Sequence, residues 1–341
     1  MSSPHEPVRV VVAGAASLRG KELKDWLEES KFPASEIGLI DEEIMAGTLT
    51  VAAGEPAVIE TVDQDSFARA RFVFFTGSPG FLLRHAAEAQ RAGAVVIDLS
   101  GGPAAEQGAR PWIPSLDAVL APPPGKDPAG NVQSLFLVPS APGDVAISLA
   151  AALKPIGLAR LVLTFFQPVS ERGREAIEEL ENQVINLLSF QPISQTVFDT
   201  QVGFNMLSSF GEQSREKLAD IRAGIVREVQ NYIDGRTPMP AIALVQAPAF
   251  YSHAFTAYAE FEAPPVLAEI VLRMQRAGLK VAGENEQPPT NISVVGETRP
   301  VLEQPRRDPG IENSVWLWGA ADNLRVPVAS AVALAEKLLA S

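Results

Sequence analysis

The length, composition and charge of the chain set its broad class. It has 341 residues, of which 46% are hydrophobic and 20% charged. This length predicts two domains, because single hydrophobic cores stop growing near about 250–300 residues. Its 28 Lys and Arg against 41 Asp and Glu give a formal net charge of −13. That charge argues against nucleic acid or anionic lipid as a partner. No apolar run reaches the ~18 residues of a membrane span, so a soluble protein is predicted.

Cysteine is absent, and the histidines are His5, His85 and His253. The absence of cysteine excludes disulfides, thiolate metal sites and a cysteine nucleophile. The histidines are too few and too scattered to predict a metal site. The N-terminal residues MSSPHEPVRVVVAG lack the charged start, apolar core and small-residue cleavage site of an export signal, so we expect a cytoplasmic location.

The first 140 residues alternate short apolar runs with helical patterns. Runs that are apolar on both faces are typical of central strands in a parallel sheet covered by helices on each side. The alternation predicts a doubly wound, Rossmann-type α/β domain. We predict a surface loop at Ala121–Gly130. The predicted strands are Val8–Gly14, Ile37–Asp41, Arg71–Gly77, Ala94–Ser100 and Leu135–Ser140, and the predicted helices are Lys21–Ser30 and Gly80–Gly93.

The pattern changes after Gly143, where long strands and long helices predict an α+β domain. Its sheet is a candidate dimer interface, so we expect a homodimer. The predicted boundaries are 1–142 plus 321–341 for the nucleotide domain and 143–320 for the substrate and dimerisation domain. The predicted helices are Val145–Leu153, Glu171–Ser189, Gln213–Ile233 and Val328–Leu339, and the predicted strands are Arg160–Phe166, Ala241–Phe250, Phe255–Glu262 and Ser314–Gly319.

A glycine-containing loop follows the first predicted strand. In the segment Gly14-Ala15-Ala16-Ser17-Leu18-Arg19-Gly20, two glycines fit a dinucleotide fingerprint, and Ser17 stands where the central glycine belongs. Its hydroxyl is a candidate donor to phosphate, although its Cβ crowds the approach. Two interpretations remain open. Residues Gly14, Ala16, Ser17, Leu18 and Gly20 bind a pyrophosphate, or Gly14 and Gly20 serve only turn formation and helix packing.

Asp41 ends the second predicted strand about twenty residues further on. A carboxylate there accepts a hydrogen bond from a ribose 2′-hydroxyl and repels a 2′-phosphate. If a cofactor binds, the sequence therefore favours NAD over NADP. The alternative is a domain that binds neither.

Several segments resemble aspartate-semialdehyde dehydrogenase in that family's order and over nearly the whole chain. The segment VQAPAFYSHA at Val245–Ala254 resembles the cysteine-free Usg-type paralogues of that enzyme. The resemblance implies a Rossmann-type domain followed by a dimerisation domain. It is carried by the glycine loop and by Ala92–Ser100, Pro142–Ile156, Gln167–Gln183, Phe204-Asn205 and Ala321–Arg325.

The resemblance also implies a set of catalytic roles: a cysteine attacks the aldehyde, a histidine moves protons, a glutamine orients the thioester, and two arginines hold carboxylate and phosphate. Asp144 stands at the position of the nucleophile, counting back from Ala-Leu-Lys-Pro at 152–155. Gln167 and His253 match the glutamine and the histidine. Gln246 replaces the carboxylate-binding arginine, and LSGGPA after Asp98 lacks the phosphate-binding one. A small dianion therefore loses its bidentate partners.

The remaining site residues each have two interpretations. Asp144 is either an inert N-cap of the following helix or a weak nucleophile. His253 is either held by backbone at a strand end or binds a ligand. Asn323 matches a family position near the nicotinamide. The acidic residues Glu175, Glu178, Glu179 and Glu181 are predicted to form a solvated helix face.

Three hypotheses for function follow. The first is a relative of the dehydrogenase that lacks its activity and keeps a nucleotide-type or small-molecule cleft. The second is an active NAD-dependent oxidoreductase on an aldehyde-type substrate, with His253 as the base and without covalent catalysis. The third is a non-enzymatic dimeric scaffold or regulator. Binding of NAD or NADP discriminates between the first two.

Overall fold

The computed structural model describes residues 8–45, 47–52, 55–102, 108–123 and 133–340. The predicted loop at Ala121–Gly130 therefore lies outside the described residues from 124 onward. The chain forms two compact units with interleaved boundaries. The first contains Met1–Pro114, Pro122–Ser140 and Pro327–Ser341, and the second contains Ser115–Ala121 and Ala141–Val326.

The first unit is built on a parallel sheet. Of the strands described, seven lie in the order β5-β2-β1-β6-β7-β9-β8, with a separate two-stranded ladder of β3 and β4. The expected Rossmann-type fold is confirmed. The elements are β1 Val8–Ala13, α1 Leu18–Glu29, β2 Ala34–Asp41, β3 Leu49–Ala52, β4 Glu55–Val58, β5 Glu60–Thr61, β6 Ala70–Phe75, α2 Pro79–Arg91, β7 Val95–Asp98, β8 Arg110–Pro111 and β9 Leu135–Leu137.

The apolar strands of this sheet explain its two-sided core. In β1, Val10 and Val12 pack into one cluster with α1, while Val11 and Ala13 pack into another with α2. Side chains alternate along a strand, so a continuous run of apolar residues buries both faces. The short strands β3, β4, β5 and β8 were not predicted, because they carry no comparable apolar run.

The second unit contains long strands and helices, as expected for an α+β domain. The final helix, α7, begins in this unit and continues into the first from Pro327 onward. The elements are α3 Ala141–Leu153, β10 Leu158–Gln167, α4 Arg174–Leu188, α5 Leu218–Ile233, β11 Ala241–Gln246, β12 His253–Phe261, α6 Leu267–Arg276, β13 Lys280–Val281, β14 Val301–Leu302, β15 Arg306–Arg307, β16 Ser314–Ala321 and α7 Arg325–Ala340.

The second sheet is mixed, and its topology determines where the candidate site residues lie. Its strands run in the order β11-β10-β12-β16-β14-β13, with β15 also paired to β16. Strand β10 is parallel to β11 and antiparallel to β12, which is antiparallel to β16. The carboxyl ends of β10, β11 and β16 and the amino end of β12 therefore meet at one edge.

Helix α3 packs against β10 and β16 on one side and against α5 and α6 on others. All thirteen of its residues are buried. Its sequence APGDVAISLAAAL is apolar almost all round, which is the pattern of a helix surrounded by protein. The single ionisable side chain in it is Asp144.

Two helices of this unit begin later in the structure than the sequence predicted. Gly173 has φ of +82°, so the segment predicted as one helix from Glu171 is a short 3-10 helix at Val169–Arg172 followed by α4. The second helix begins at Leu218 instead of Gln213. The Gln213 amide and the Ser214 hydroxyl bond to Asp199 and Val197, which holds this segment outside the helix.

The solvated-face prediction is wrong for Glu179, although Glu175, Glu178 and Glu181 are exposed. Glu179 is 4% exposed. Its carboxylate accepts hydrogen bonds from the Thr196 hydroxyl at 2.8 Å and the Val197 amide at 2.6 Å. A folded-back segment covers this face of α4, and helix spacing cannot reveal that. Among the described helices, none is long and apolar enough to cross a membrane.

Candidate active site and nucleotide-binding loop

The glycine loop after β1 passes extremely close to the chain that follows β6. Gly14 has φ of +92°, and a Cβ on it would lie 2.2 Å from the Gly77 amide nitrogen. A Cβ on Gly20 would lie 2.3 Å from the Gly14 carbonyl oxygen. Both glycines are therefore required by packing within this unit, whether or not a ligand binds.

The polar groups of the loop largely bond to one another. Ser17 is the N-cap of α1, and its Oγ accepts a hydrogen bond from the Gly20 amide at 2.9 Å. The same hydroxyl donates to the Gly14 carbonyl, at 2.8 Å. Leu18 begins the helix, and its first turn directs the positive end of the helix dipole toward the loop. The Ser17 hydroxyl therefore already has partners in the loop.

Asp41, at the carboxyl end of β2, holds the loop from the side. Its Oδ2 accepts a hydrogen bond from the Ala16 amide at 2.8 Å, and its Oδ1 accepts one from the Glu42 amide at 2.7 Å. Burial raises the pKa of the Asp41 carboxyl, against the opposing effect of these two amides. Each carboxylate oxygen carries a further lone pair, so a ribose hydroxyl can still donate to Asp41.

A second carboxylate, Glu42, follows immediately. Its Oε1 accepts hydrogen bonds from the Ser78 hydroxyl at 2.7 Å and from the Arg84 guanidinium at 3.1 Å. The Ser78 bond, followed by Arg84, lowers the pKa of Glu42. The end of β2 therefore presents two adjacent acidic side chains, and the nearby arginine is already paired.

In the second unit, the sheet topology brings Gln167, Gln246, His253 and Asn323 to one edge. Gln167 ends β10, Gln246 ends β11, His253 begins β12, and Asn323 follows β16. The Gln167 Nε2 donates to the Gln246 Oε1 at 3.1 Å. The Gln246 Nε2 donates in turn to the backbone carbonyls of Gln167 and Ala247, so this amide is committed to the protein.

His253 is bound by a side chain that the sequence interpretation did not single out. Its Nε2 lies 3.1 Å from Oε1 of Glu171, in the 3-10 helix after β10. The His253 side chain is 1% exposed, and that of Glu171 is 17% exposed. The Nδ1 of His253 is buried and has no hydrogen-bond partner in the part of the chain described.

Asn323 joins the two chain segments that carry this pair. Its Oδ1 accepts a hydrogen bond from the Ser252 amide at 2.9 Å, and its Nδ2 donates to the Ser170 hydroxyl at 3.1 Å. Ser252 directly precedes His253, and Ser170 directly precedes Glu171. Asn323 is fully buried. It therefore fixes the spacing between the histidine and the glutamate.

Asp144 lies in the first turn of α3, and the N-cap prediction for it is wrong. The helix begins three residues earlier, at Ala141, because Pro142 and Gly143 both fit into its first turn. The Asp144 Oδ1 accepts a hydrogen bond from the Ser148 hydroxyl at 2.9 Å. Burial raises the pKa of Asp144 to about 6.

The structure therefore brings together some of the expected residues and separates others. Gln167 and Gln246 are in direct contact, while His253 and Asn323 are linked through Ser252. Within the described ranges, the hydrogen bond of the Asp144 side chain stays inside α3, and none joins it to Gln167 or His253. Likewise, no group of three or more metal-ligating side chains is found there.

Glu171, Ser170 and Ser252 were missed because their roles depend on contacts between distant parts of the sequence. Glu171 and His253 are 82 residues apart. Ser252 has φ of +64°, and only the fold imposes that strained conformation. The one available signal was the position of Glu171 four residues after the expected Gln167.

Two family models match most of the chain. The semialdehyde dehydrogenase NAD binding domain matches residues 9–124, and the semialdehyde dehydrogenase dimerisation domain matches residues 149–326. The chain belongs to the semialdehyde dehydrogenase family. As a member of that family it contains an NAD-binding domain and a dimerisation domain, and the predicted resemblance is confirmed.

Individual relatives agree with this membership. A USG-1 protein homolog from Pseudomonas aeruginosa is 29% identical, with 98% of each chain covered. An aspartate-semialdehyde dehydrogenase from Shewanella violacea is 26% identical, with 97% of each chain covered. A solved structure of a probable aspartate-semialdehyde dehydrogenase from Pseudomonas aeruginosa has a TM-score of 0.83 at 28% identity, covering 98% of this chain and 99% of that one.

A further solved structure supports the fold alone. Aspartate semialdehyde dehydrogenase II from Vibrio cholerae has a TM-score of 0.86 at 22% identity, covering 98% of this chain and 99% of that one. The semialdehyde dehydrogenase fold is therefore retained over almost the full length.

Proposed function

We propose that this chain is a semialdehyde dehydrogenase homologue that lacks the family's thioester chemistry and retains a nucleotide-type binding site. The observation that carries the proposal is Asp144, at the position where the resemblance places the nucleophilic cysteine in a chain without any cysteine. Its carboxyl is buried, bonded to Ser148, and has a raised pKa. A carboxylate is a much weaker nucleophile toward an aldehyde than a cysteine thiolate.

The lost anion-binding groups support the same proposal. Gln246, where the resemblance places an arginine, has its amide nitrogen bonded to two backbone carbonyls. A neutral amide with committed donors cannot replace a bidentate guanidinium. We therefore propose that the sheet edge with Gln167, Gln246 and His253 does not bind a small dianion.

The nucleotide site would lie in the first unit, within a nucleotide domain that we assign to 1–142 plus 321–341, with 143–320 as substrate and dimerisation domain. The first turn of α1, beginning at Leu18, would face a pyrophosphate, and Asp41 would accept from the adenosine ribose. A bound nicotinamide dinucleotide would supply hydride-transfer chemistry. The acidic pair of Asp41 and Glu42 disfavours a 2′-phosphate, so we propose NAD over NADP.

A second candidate function is an NAD-dependent oxidoreductase that acts on an aldehyde-type substrate without covalent catalysis. The pair of His253 and Glu171 favours it, because proton transfer needs no thiol. In this alternative the His253 ring is the base.

Titration of the purified protein with NAD and with NADP tests the nucleotide assignment. A ligand that binds only the folded state raises the melting temperature, by an amount that grows with its concentration over Kd. We expect NAD to raise the melting temperature more than NADP does. Asp41→Asn should reduce the difference between the two shifts. Absence of a shift with either dinucleotide would refute the nucleotide site.

Asp144→Cys tests the proposed loss of the family activity. The assay is phosphate-dependent oxidation of aspartate semialdehyde with either dinucleotide. We expect no turnover in the wild type and none in the variant, because Gln246 still stands where the arginine is needed. Turnover in either protein would overturn the proposal. Asp144→Ser is the matched control, since it changes the same side chain without adding a thiol.

A further inference from the structure

The pair of Glu171 and His253 is asymmetric in its access to solvent. The histidine side chain is 1% exposed and the glutamate side chain 17% exposed. The two polar atoms of the imidazole are both enclosed: Nε2 faces the Glu171 carboxylate at 3.1 Å, and Nδ1 is buried. The glutamate is therefore the more accessible side chain of the pair.

The contacts also determine which ring nitrogen carries the proton when the imidazole is neutral. A proton on Nε2 is donated to the Glu171 carboxylate. A proton on Nδ1 would leave a buried donor unsatisfied and turn the Nε2 lone pair toward the negative oxygen of Glu171, and both effects disfavour that tautomer. The ring is therefore held with its proton on Nε2.

The surrounding bonds keep this arrangement fixed. The Val169 and Ser170 amides donate to the carbonyls of Ala249 and Phe250, which anchors the 3-10 helix that carries Glu171. Asn323 then bonds both to Ser170 and to the amide of Ser252. The carboxylate is thus positioned from both sides of the pair.

We propose that Glu171 is the group that exchanges a proton with a ligand at this edge, and that His253 is its buried positioning partner. This inference deepens the proposed function, because it concerns the same sheet edge and replaces His253 as the proton acceptor of the oxidoreductase alternative. The proton of a ligand hydroxyl passes to a carboxylate oxygen of Glu171, and the imidazole keeps its Nε2 proton throughout.

The chemistry of Glu171 also selects the ligand. An ionised carboxylate accepts hydrogen bonds and repels other anions, so the ligand presents a donor here: an alcohol, an aldehyde hydrate or an ammonium group. The neighbouring cation, Arg172, is paired with Glu216. Arg172 also interacts electrostatically with Glu171, so its charge is shared between two carboxylates.

Selective chemical labelling tests the inference on the intact protein without a ligand. Diethyl pyrocarbonate modifies accessible imidazoles, and a water-soluble carbodiimide with glycinamide modifies accessible carboxyls; peptide mass spectrometry locates both. We expect Glu171 to be labelled and His253 to be protected at least tenfold relative to His85, whose side chain is 22% exposed. Labelling of His253 at the rate of His85, or protection of Glu171 from the carbodiimide, would overturn the inference.

Variants distinguish shielding of His253 by Glu171 from a general destabilisation of the fold. Glu171→Ala should expose Nε2 and raise His253 labelling toward that of His85, whereas Glu171→Gln should keep most of the protection because its amide oxygen still accepts from Nε2. Glu178→Ala, an exposed glutamate of α4, should leave His253 protected. If Glu171→Ala raises His253 labelling no more than Glu178→Ala does, Glu171 is not the shield.

Nitrogen-15 NMR of the wild type provides a readout that does not depend on a Glu171 variant folding. The chain has three histidines, so the His253 ring signals are those that persist in both His5→Gln and His85→Gln. We expect the neutral His253 ring to carry its proton on Nε2, and a proton on Nδ1 would refute the inference. The outcome is independent of the proposed function: NAD binding can fail while the Glu171–His253 arrangement is confirmed, and the reverse.

Discussion

At the scale of single residues, the burial of Asp144 makes the free energy of unfolding depend on pH. Burial raises the pKa of Asp144 to about 6 in the folded protein, from an ordinary value of 3.8. Between these values the folded state binds more protons than the unfolded chain, so the contribution of Asp144 to stability falls as pH rises from 4 to 6 and is level above. The total change is about 3 kcal/mol, at about 1.4 kcal/mol per pH unit of pKa difference.

Asp144→Asn should remove this slope. The amide keeps an oxygen to accept from Ser148 and carries no charge to bury, so we expect the variant to unfold at higher denaturant than the wild type at pH 7. The gain should approach about 3 kcal/mol and shrink toward zero at pH 4. Urea unfolding at pH 4, 5, 6 and 7 measures it. An exposed aspartate provides the control, since Asp65→Asn should leave the slope unchanged.

The sequence predicted where the candidate residues lie better than it predicted what they contact. Gln167 and His253 were identified from their places in motifs, and the structure does bring them to one sheet edge. Their partners could not be foreseen, because Glu171 reaches His253 only through a pairing of β10 with β12 that brings distant residues together. The N-cap interpretation of Asp144 failed because the predicted helix began at Val145, whereas α3 begins at Ala141.

At the scale of elements, the glycine loop is shaped by contact as well as by backbone conformation. Gly93 and Gly14 both have positive φ, but a Cβ on Gly93 meets nothing within 4 Å, whereas one on Gly14 meets Gly77. The two positions therefore separate the cost of the left-handed conformation from the cost of the collision.

We expect Gly93→Ala to destabilise the protein by about 1 kcal/mol and Gly14→Ala by several times as much. The first change strains only the backbone, while the second also displaces the loop from Gly77. Chemical denaturation gives both values. Gly14→Ala should also abolish any NAD-dependent rise in melting temperature. Equal destabilisation by the two changes would show that the glycine loop can move away from Gly77 without lowering the free energy of unfolding.

Elements with a strong local signal were predicted well, and those defined by long-range contact were not. The apolar runs gave β1, β2, β6, β7 and β9 within three residues at each end. Strand β11, predicted to continue to Phe250, ends at Gln246, because the following residues bond to the segment after β10 instead. The amphipathic helix α6 was missed.

At the scale of the whole molecule, the second sheet presents a face suited to association. Along β12, Phe255, Ala257 and Ala259 are fully buried, whereas the alternating Thr256 and Tyr258 are only partly buried. The same alternation on β10 and β16 adds Val162, Thr164, Phe166 and Trp318 to this partly buried face. A half-covered apolar sheet face in a dimerisation domain supports a homodimer.

Thr256→Lys tests the homodimer. Thr256 lies opposite Thr164 on one side and Trp318 on the other, near the middle of this face. A lysine there would bury a charge in the interface, so we expect the variant to be monomeric at micromolar concentration while the wild type is dimeric. Light scattering after size exclusion measures the mass. Thr61→Lys, on the first unit, should remain dimeric; an unchanged mass for Thr256→Lys would place the interface elsewhere.

The internal bonding of the glycine loop has an evolutionary consequence. Gly14 and Gly20 are required by Gly77 and by the loop carbonyl, and the Ala16 and Gly20 amides are bonded to Asp41 and Ser17. Selection for a stable domain alone would keep these residues after dinucleotide binding had lapsed. A descendant of this protein would then keep the dinucleotide-binding motif without binding a dinucleotide. Motif searches would continue to assign it a coenzyme that it no longer uses.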